Sequence, residues 1–534
     1  MIPVKKFLLI LLVILAGIVI LYPYHNFQAY FSQGDNGRDF YAFKKTLEGG
    51  QPYRDYWWVY GPLMPYYYAL FYKMFGISIQ TVLLGKIVLW VLSGLFVYLA
   101  LAAILPASFA FLASVWYWAF NPTFTYTYNH IGGVCCTLLI IYLTFLYIKK
   151  PRTILILLNF VFLFVLCLIK INIGCAGLLA FAISLYIIDK ISKNPLAVKN
   201  RKTGLCVLVA IPLLAAFIHW LFVRGLTVAE IRQCIIYLPE DRPIHASILT
   251  TGQTLWGIMI HHVSSTLPNF LFSMLVLLCI LNYIHMQRTK KMKGQEARQT
   301  SLSLAVLLIF SGFYSHEFLL SGIPYRLYWI SFFLMMFNMI LICKTIRFLP
   351  KFYKSLFLVI FLFMASLFIY DKRQLIKTYK IPAQRLLFKT ADVYMANPCD
   401  WIMTVKLTTS YLTEHLDKNE LFLALPYDPI YYFLTNKESP TRQLIFFDHI
   451  NIPKEQEQEI IRELEKKNVH YIVLSSRLRS PAPGIGTFGE TYCPVLAKYI
   501  DENFKVVAQF GNWQEPPIKA WEHHGTRILK RVNN

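Results

Sequence analysis

Long apolar runs recur along the first 370 residues, and they constrain the fold more than any motif does. A helix that spans about 30 Å of hydrocarbon needs roughly 20 apolar residues. The chain is 56% hydrophobic and 15% charged, with a mean hydropathy of +0.48. These features predict an α-helical polytopic membrane protein. About eleven transmembrane helices are expected, at 5–22, 81–104, 107–120, 131–148, 153–170, 172–190, 204–223, 268–286, 301–315, 322–343 and 354–370.

The basic residues predict the orientation of these helices. Residues 1–370 contain 30 Lys and Arg but only 10 Asp and Glu, and the basic residues gather in alternate loops. By the positive-inside rule those loops and the N-terminus are cytoplasmic. An odd helix count then places the C-terminal region outside. The net charge of +23 is therefore a topological signal. It does not indicate a nucleic-acid partner, and a multi-pass protein of a bacterial inner (plasma) membrane is expected.

Residues 371–534 differ in composition, with 22 basic and 19 acidic residues and no run long enough to span a bilayer. We interpret them as an extracytoplasmic α/β domain that follows a membrane domain of residues 1–370, whose first external loop covers 23–80. Strands are expected at 421–425, 469–476, 504–510 and 526–532, and helices at 454–468 and 492–503.

This C-terminal domain also contains two cysteines and a glycine-rich segment. Cys399 and Cys493 could form a disulfide in an oxidising compartment or remain two free thiols. The segment GIGTFG matches a dinucleotide-binding fingerprint, but the proline-containing loop 477–483 separates it from the preceding strand. A surface loop is the preferred interpretation, and no Cys or His spacing suggests a metal site.

The first external loop contains the candidate catalytic groups. Asp35 and Asp39 are four residues apart, so a helix would place both on one face. A carboxylate at the outer mouth of a membrane bundle is a functional candidate. The alternative is that Asp35 caps a helix and Asp39 pairs with Arg38 or Lys44. The stretch that follows is rich in Tyr and Trp, which predicts interfacial helices.

The order of motifs along the chain resembles that of the GT-C membrane glycosyltransferases. The nearest resemblance is to the bacterial branch related to protein O-mannosyltransferases and the lipid A aminoarabinose transferase. The shared features are an Asp after the first helix, a Lys-containing helix break (CLIKINIG), a late HEFLLSGIPYRLY segment and the run LPYDPIYYFLTNKESPTR. Within the first loop they are Gly49, Pro52, Tyr53, Asp55 and the Gly61-Pro62 pair.

The resemblance implies transfer of a hexose or pentose from a polyprenyl-phosphate donor to a hydroxyl of a lipid, glycan or protein acceptor in the cell envelope. Asp35 would be the general base. Because Asn36 stands where many members carry a second acid, Asp39 is the other candidate. The expected substrate-binding residues are Lys170 and Arg326 for the lipid phosphate, His130 and His316 for phosphate or sugar, and Asp55 and Tyr53 in the loop.

Each of these residues also has a purely structural interpretation. Lys170 and Arg326 could extend to the membrane interface without a ligand, and each His could be a hydrogen-bonded structural residue. No cofactor is expected to be required, although a weak Mg²⁺ or Mn²⁺ site at Asp35, Asp39 and the lipid phosphate is left open. The competing functions are a lipid or glycolipid flippase or transporter, and a polymerase or ligase of lipid-linked glycans.

The orientation can be tested with reporter fusions. A reporter that is active only outside the cytoplasm should be active at the C-terminus and inactive when fused near Lys291. Activity at Lys291 would reverse the orientation and remove Asp35 from the outer face.

Overall fold

A computed structural model describes residues 4–28, 31–32, 34–120, 128–192, 195–235, 280, 283–284, 294–321, 328–348, 355, 359, 381–476, 479–480, 486–513 and 524–532. The predicted Arg326, nearly all of the predicted spans 268–286 and 354–370, and part of 322–343 lie outside the described residues.

The N-terminal part of the chain is a bundle of apolar helices. Its helices are α1 (Val4–Leu21), α2 (Asp35–Leu47), α3 (Leu63–Phe75), α4 (Ile79–Ala102), α5 (Ala107–Phe120), α6 (Tyr128–Lys149), α7 (Thr153–Ile169), α8 (Ile171–Ser192), α9 (Pro195–Val223), α10 (Val228–Cys234), α11 (Gly294–Tyr314), α12 (His316–Ser321) and α13 (Tyr328–Phe348). Among the described residues, five helices are long and apolar enough to cross a membrane, and a bent pair around 223–228 would make six. The protein is therefore a multi-pass membrane protein, but the predicted count of eleven spans is not confirmed.

Small residues allow the helices of the bundle to approach closely. The α4–α5 pair shows this at Gly94, where an added Cβ would lie 2.2 Å from the indole nitrogen of Trp118. That indole donates a hydrogen bond to the carbonyl of Trp90 at 2.9 Å. The glycine therefore lets a large aromatic side chain of α5 reach the backbone of α4.

The C-terminal part contains the predicted mixture of strands and helices. A four-stranded sheet contains, in spatial order, the strands Phe422–Leu425, Tyr471–Ser475, Gly525–Arg531 and Phe504–Gly511. The first two strands are parallel, and the other two neighbouring pairs are antiparallel. The predicted strands and helices are found at nearly the predicted positions, whereas the short strands at 385–388, 391–395, 479–480 and 486–487 and the helices at 399–415 and 430–434 were not predicted. The elements are β2 (Arg385–Phe388), β3 (Ala391–Met395), α14 (Cys399–His415), β4 (Phe422–Leu425), α15 (Ile430–Leu434), α16 (Lys454–Lys466), β5 (Tyr471–Ser475), β6 (Arg479–Ser480), β7 (Gly486–Thr487), α17 (Pro494–Asn503), β8 (Phe504–Gly511) and β9 (Gly525–Arg531).

Both candidate cysteines of this region are free thiols. Cys399 is exposed and Cys493 is buried at the start of α17. Of the two possibilities left open by the sequence, the structure contains the unpaired one.

The first external loop is built into the C-terminal part. A short strand, β1 (Phe27–Gln28), pairs in parallel with β3. Further along, α2 packs against α15 so closely that a Cβ on Gly37 would lie 2.3 Å from the backbone nitrogen of Ile430. The backbone N–H of Trp57 donates to the carbonyl of Arg442 at 2.9 Å. These contacts fix α2 over the end of the bundle.

The predicted Lys-containing break lies between α7 and α8. Lys170 has extended backbone dihedrals, so the carbonyl of Ile169 is not used by a continuing helix. That carbonyl accepts hydrogen bonds from the N–H of Gly61 at 3.0 Å and from the side chain of Asn129 at 2.9 Å. A Cβ on Gly61 would lie only 2.0 Å from the carbonyl oxygen of Leu168. The first loop can therefore donate a hydrogen bond to the carbonyl of Ile169 only if position 61 is glycine.

Substitution of Gly61 should be costly. Gly61→Ala should destabilise the protein by roughly 1–3 kcal/mol, because backbone must move to admit the methyl group. The thermal unfolding midpoint of the purified protein measures this. Gly312→Ala is the matched control, since nothing lies within 4 Å of its Cβ position. Equal midpoints for both variants would show that the contact at the break is not tight.

Candidate functional site

Three charged side chains of α2 form a carboxylate cluster: Asp35, Arg38 and Asp39. The Arg38 guanidinium donates to Asp39 Oδ1 at 2.8 Å and 3.1 Å, and to Asp35 Oδ1 at 3.2 Å. Asp35 lies three positions before Arg38 on the same helix face, and the long Arg38 side chain also reaches the adjacent Asp39. The structure therefore brings the two predicted carboxylates together through the cation between them. The Asp39–Arg38 pair is the one named in the structural alternative, whereas the Asp35 side chain does not cap the helix.

The two carboxylates differ in exposure. The side chain of Asp39 is 0% exposed and that of Asp35 is 22% exposed. Asp39 Oδ2 also accepts from the backbone N–H of Tyr128 at 3.3 Å, so both of its oxygens have partners. Burial raises the pKa of Asp39 to about 6, although Arg38 opposes the shift. Of the two carboxylates, Asp35 is the one that solvent can reach.

Aromatic rings surround Arg38 on its remaining sides. Its guanidinium carbon lies 5.9 Å, 5.4 Å and 5.1 Å from the ring centroids of Trp57, Trp58 and Tyr60. These distances are within the range of cation–π attraction. The indole N–H of Trp58 donates to the carbonyl of Gly61 at 3.0 Å, which ties these rings to the helix break.

A second charged group lies at the break itself. Lys170 Nζ forms an ion pair with Glu317 Oε1 at 2.6 Å and donates to His130 Nε2 at 3.2 Å. The Asn172 side chain donates to Glu317 Oε1 and lies 3.2 Å from His316 Nε2. Three of the predicted substrate-binding residues, Lys170, His130 and His316, are therefore brought together around Glu317.

Tyr60 lies between the two charged groups. Its ring centroid is 5.1 Å from the Arg38 guanidinium carbon and 5.9 Å from Lys170 Nζ. It is also 5.5 Å from the His130 ring, and the opposite side of the Lys170 group is covered by Trp329. The carboxylate cluster and the Lys170–Glu317 pair are thus parts of one site with aromatic walls.

The two other predicted loop residues make contacts within the loop. Asp55 pairs with Arg54 and accepts from the N–H of Gln51 at 2.7 Å. Partial burial would raise the pKa of Asp55, but the hydrogen bonds from Arg54 and Gln51 outweigh it and lower that pKa. Tyr53 is buried at a positive φ of 69°, and its hydroxyl donates to the carbonyl of Tyr60. Both residues therefore make contacts that hold the loop.

Sequence reasoning did not assign three residues of this site. Arg38 was considered only as a structural partner, although its position between two acidic residues signals a shared ion pair. Glu317 was not predicted to be the partner of Lys170. Lys86 was overlooked: it is buried within the apolar helix α4, donates to Gln28 Oε1 at 2.6 Å and lies 5.8 Å from the Tyr128 ring. A single Lys inside a long apolar run is itself a signal of function.

The carboxylates are poorly arranged for a metal ion. The Arg38 guanidinium occupies the position between Asp35 and Asp39 where a cation would bind both. Within the described ranges, no group of three or more His, Cys, Asp or Glu side chains could hold a metal. A divalent cation could use only the free side of Asp35 and would bind weakly.

Removal of the Glu317 charge should test how far the Lys170 group depends on it. Glu317→Gln removes the carboxylate charge that lies 2.6 Å from the buried Lys170 ammonium. This should cost roughly 3–5 kcal/mol of stability, measured by thermal unfolding. The control is Glu459→Gln, because Glu459 and its partner Arg462 are both mostly exposed, at 58% and 68%, and the loss of this pair should change little. Lys170→Met combined with Glu317→Leu should recover much of the loss. Equal effects of the two single substitutions would contradict this description.

Comparison with solved structures identifies the fold. No family model and no curated protein matches the sequence. The chain is similar to ArnT from Cupriavidus metallidurans bound to undecaprenyl phosphate, with a TM-score of 0.52 and 11% identity over 100% of this chain and 99% of that chain. The apo state of ArnT gives 0.51 and 10% identity over 99% and 98%. An oligosaccharyltransferase from Archaeoglobus fulgidus in complex with Zn and sulfate gives 0.51 and 12% identity over 88% and 68%. The chain therefore has the fold of the GT-C membrane glycosyltransferases, as the order of its motifs indicated.

Proposed function

We propose that this protein is a membrane glycosyltransferase that moves a sugar from a polyprenyl-phosphate donor to an acceptor hydroxyl. The observation that supports this most directly is the single aromatic-walled site that contains both a partly exposed carboxylate and a lysine at a helix break. The GT-C fold adds support, because the similar ArnT structure was solved with undecaprenyl phosphate.

Asp35 is proposed as the general base. Asp39 is fully buried and its two oxygens are occupied by Arg38 and the Tyr128 N–H. Asp35 makes one contact of 3.2 Å to Arg38 and keeps part of its side chain exposed. A base must reach the proton it removes, so the accessible carboxylate is the better candidate. Asp39 then acts as a positioning residue, because it fixes the guanidinium that lies against Asp35.

The chemistry proposed for Asp35 is proton transfer during one displacement. The acceptor oxygen forms a bond to the anomeric carbon, and the bond from that carbon to the lipid phosphate breaks. The phosphate oxygen keeps the electron pair, and the acceptor proton passes to Asp35. Attack from the face opposite the leaving group would invert the anomeric carbon.

Lys170 is proposed to meet the charge that develops on the departing phosphate. The helix break holds it at the site, and contacts from His130 and Glu317 fix the position of its ammonium group. His130 is near enough to share a phosphate oxygen, and His316 would act through Asn172. Arg326 is proposed as a second phosphate contact from its place in the sequence.

The sugar and acceptor classes also remain proposals: a hexose or pentose, and a lipid, glycan or protein on the extracytoplasmic face. A requirement for Mg²⁺ or Mn²⁺ should be weak. Arg38 already compensates the negative charge of Asp35 and Asp39, so an added cation gains less electrostatic energy there.

Substitution of the carboxylates tests the assignment of the base. Asp35→Asn should lower turnover at least about a hundredfold with little loss of folded protein, because the amide cannot accept the proton. Asp39→Asn should lower turnover less and stability more, because it leaves Arg38 undercompensated. The measurement is acceptor-dependent release of free polyprenyl phosphate from the lipid donor.

Asp55→Asn is the matched control for that experiment and should keep near-normal turnover, since Asp55 pairs within its own loop. Normal turnover in Asp35→Asn together with an inactive Asp39→Asn would make Asp39 the base. Movement of labelled donor across proteoliposomes without any acceptor would instead support a flippase.

The raised pKa of Asp39 predicts a pH dependence. Above its pKa of about 6, the charged carboxylate holds Arg38, and below it the neutral acid releases part of that contact. Turnover should therefore fall as the pH is lowered through about 6. Asp39→Asn should lack this acidic limb and remain uniformly slower. The same limb in that variant would mean that another group titrates.

A further inference from the structure

Three helices connect the functional site to the opposite end of the bundle. Helix α6 starts at Tyr128, beside Asp39, and ends at Lys149 after 22 residues, a length of about 33 Å. Helix α7 begins at that far end and leads to Lys170, and α11 begins at the far end and leads to His316 and Glu317. The far end therefore lies about one hydrocarbon thickness from the site, at the other membrane face.

A cavity of about 730 Å³ opens at this far end, between α6, α7 and α11. Its volume is within the range of about 300–1,000 Å³ that is usual for small-ligand pockets. Three cations line it: Lys149 and Lys150 from the end of α6, and Arg152 from the turn into α7. Beside these cations, Leu146 and Leu155 form an apolar wall of the cavity.

The cavity carries net positive charge. Among the described residues that line it, the acidic one is Glu296, which is paired with Lys344 at 2.8 Å. Lys149 donates to the carbonyl of Ala103 at 3.3 Å, and this neutral partner does not cancel its charge. Over the part of the chain that the structure describes, Lys150 and Arg152 form no ion pair. An anion would therefore gain the attraction of three cations.

An apolar stripe runs from the cavity along the outer face of α7. Ile154 lines the cavity and is 54% exposed, and Leu157 and Val161 are 42% and 53% exposed. Positions three and seven residues apart lie on one helix face. The stripe leads from the three cations toward the middle of the membrane, where the acyl chains of a lipid would lie. A free anion would contact only the cavity, whereas a lipid would contact both the cavity and the apolar stripe.

We propose that this cavity binds the phosphate headgroup of an anionic phospholipid from the leaflet opposite the carboxylate cluster, with the acyl chains along the stripe on α7. Basic pockets between membrane helices recognise anionic headgroups in this way. The bound lipid would hold together the helix that carries His130 and the two helices that lead to Lys170 and Glu317. Binding is independent of the proposed transferase activity and can be measured without it.

The experiment uses the purified full chain in detergent, titrated with phosphatidylglycerol or phosphatidylcholine and followed by native mass spectrometry. One phosphatidylglycerol should bind at least tenfold more tightly than phosphatidylcholine. Lys150→Gln with Arg152→Gln should remove this preference, because charge-assisted contacts to the phosphate are lost. Equal binding of the two lipids by the unmodified protein would overturn the proposal.

The matched control is Lys6→Gln with Lys190→Gln. It removes the same charge at the same end of the bundle, from α1 and α8, but neither residue lines the cavity. The control should keep the lipid preference, and an equal loss in both variants would mean diffuse attraction rather than a site. Inorganic phosphate should not displace the lipid at millimolar concentration. Displacement would assign the cavity to free phosphate and overturn the lipid assignment.

Discussion

The buried guanidinium of Arg38 is the group on which the arrangement of the site depends. It is 2% exposed, and an uncompensated ion at such a position costs several kcal/mol. The charge of Arg38 is compensated by Asp35 and Asp39 and by the aromatic rings of the Trp57–Tyr60 segment. The aromatic loop must therefore fold back over α2, and α2 must present both carboxylates to one cation. The two carboxylates therefore differ in accessibility, since Asp39 is buried in holding Arg38 and Asp35 remains partly exposed.

The same loop also completes the membrane bundle. The break at Lys170 leaves a helix carbonyl without its usual partner, and the N–H of Gly61 supplies one. The aromatic segment that encloses Arg38 is thus joined to the helix break at Lys170. This coupling fixes the distance between a carboxylate and a cation without a direct contact between them. In the proposed transfer reaction, such preorganisation would stabilise the charge that develops on the leaving group.

Local patterns in the sequence predicted much of the site. Spacing placed Asp35 and Asp39 on one helix face, and the polar Lys170 inside an apolar hairpin marked the break. The pairing of Lys170 with Glu317 was not predicted, because these residues are far apart in the chain and only packing of α7 against its neighbours brings them together. The hydrogen bond of Lys86 was not predicted for the same reason, because its partner Gln28 lies in the first loop, 58 positions away. The roles of Asp55 and Tyr53 stay predictions, although both make contacts that hold the loop.

The sequence by itself determined the membrane class, most helix and strand positions and the candidate charged residues. Hydropathy, periodicity and helix breaks are local properties, so a linear reading is sufficient for them. Only the tertiary structure decided which carboxylate is buried, which cation meets which acid and how the first loop joins the C-terminal strands. Those outcomes depend on desolvation and on contacts between distant segments. The sequence specifies which side chains are charged, but packing determines the partner and the exposure of each one.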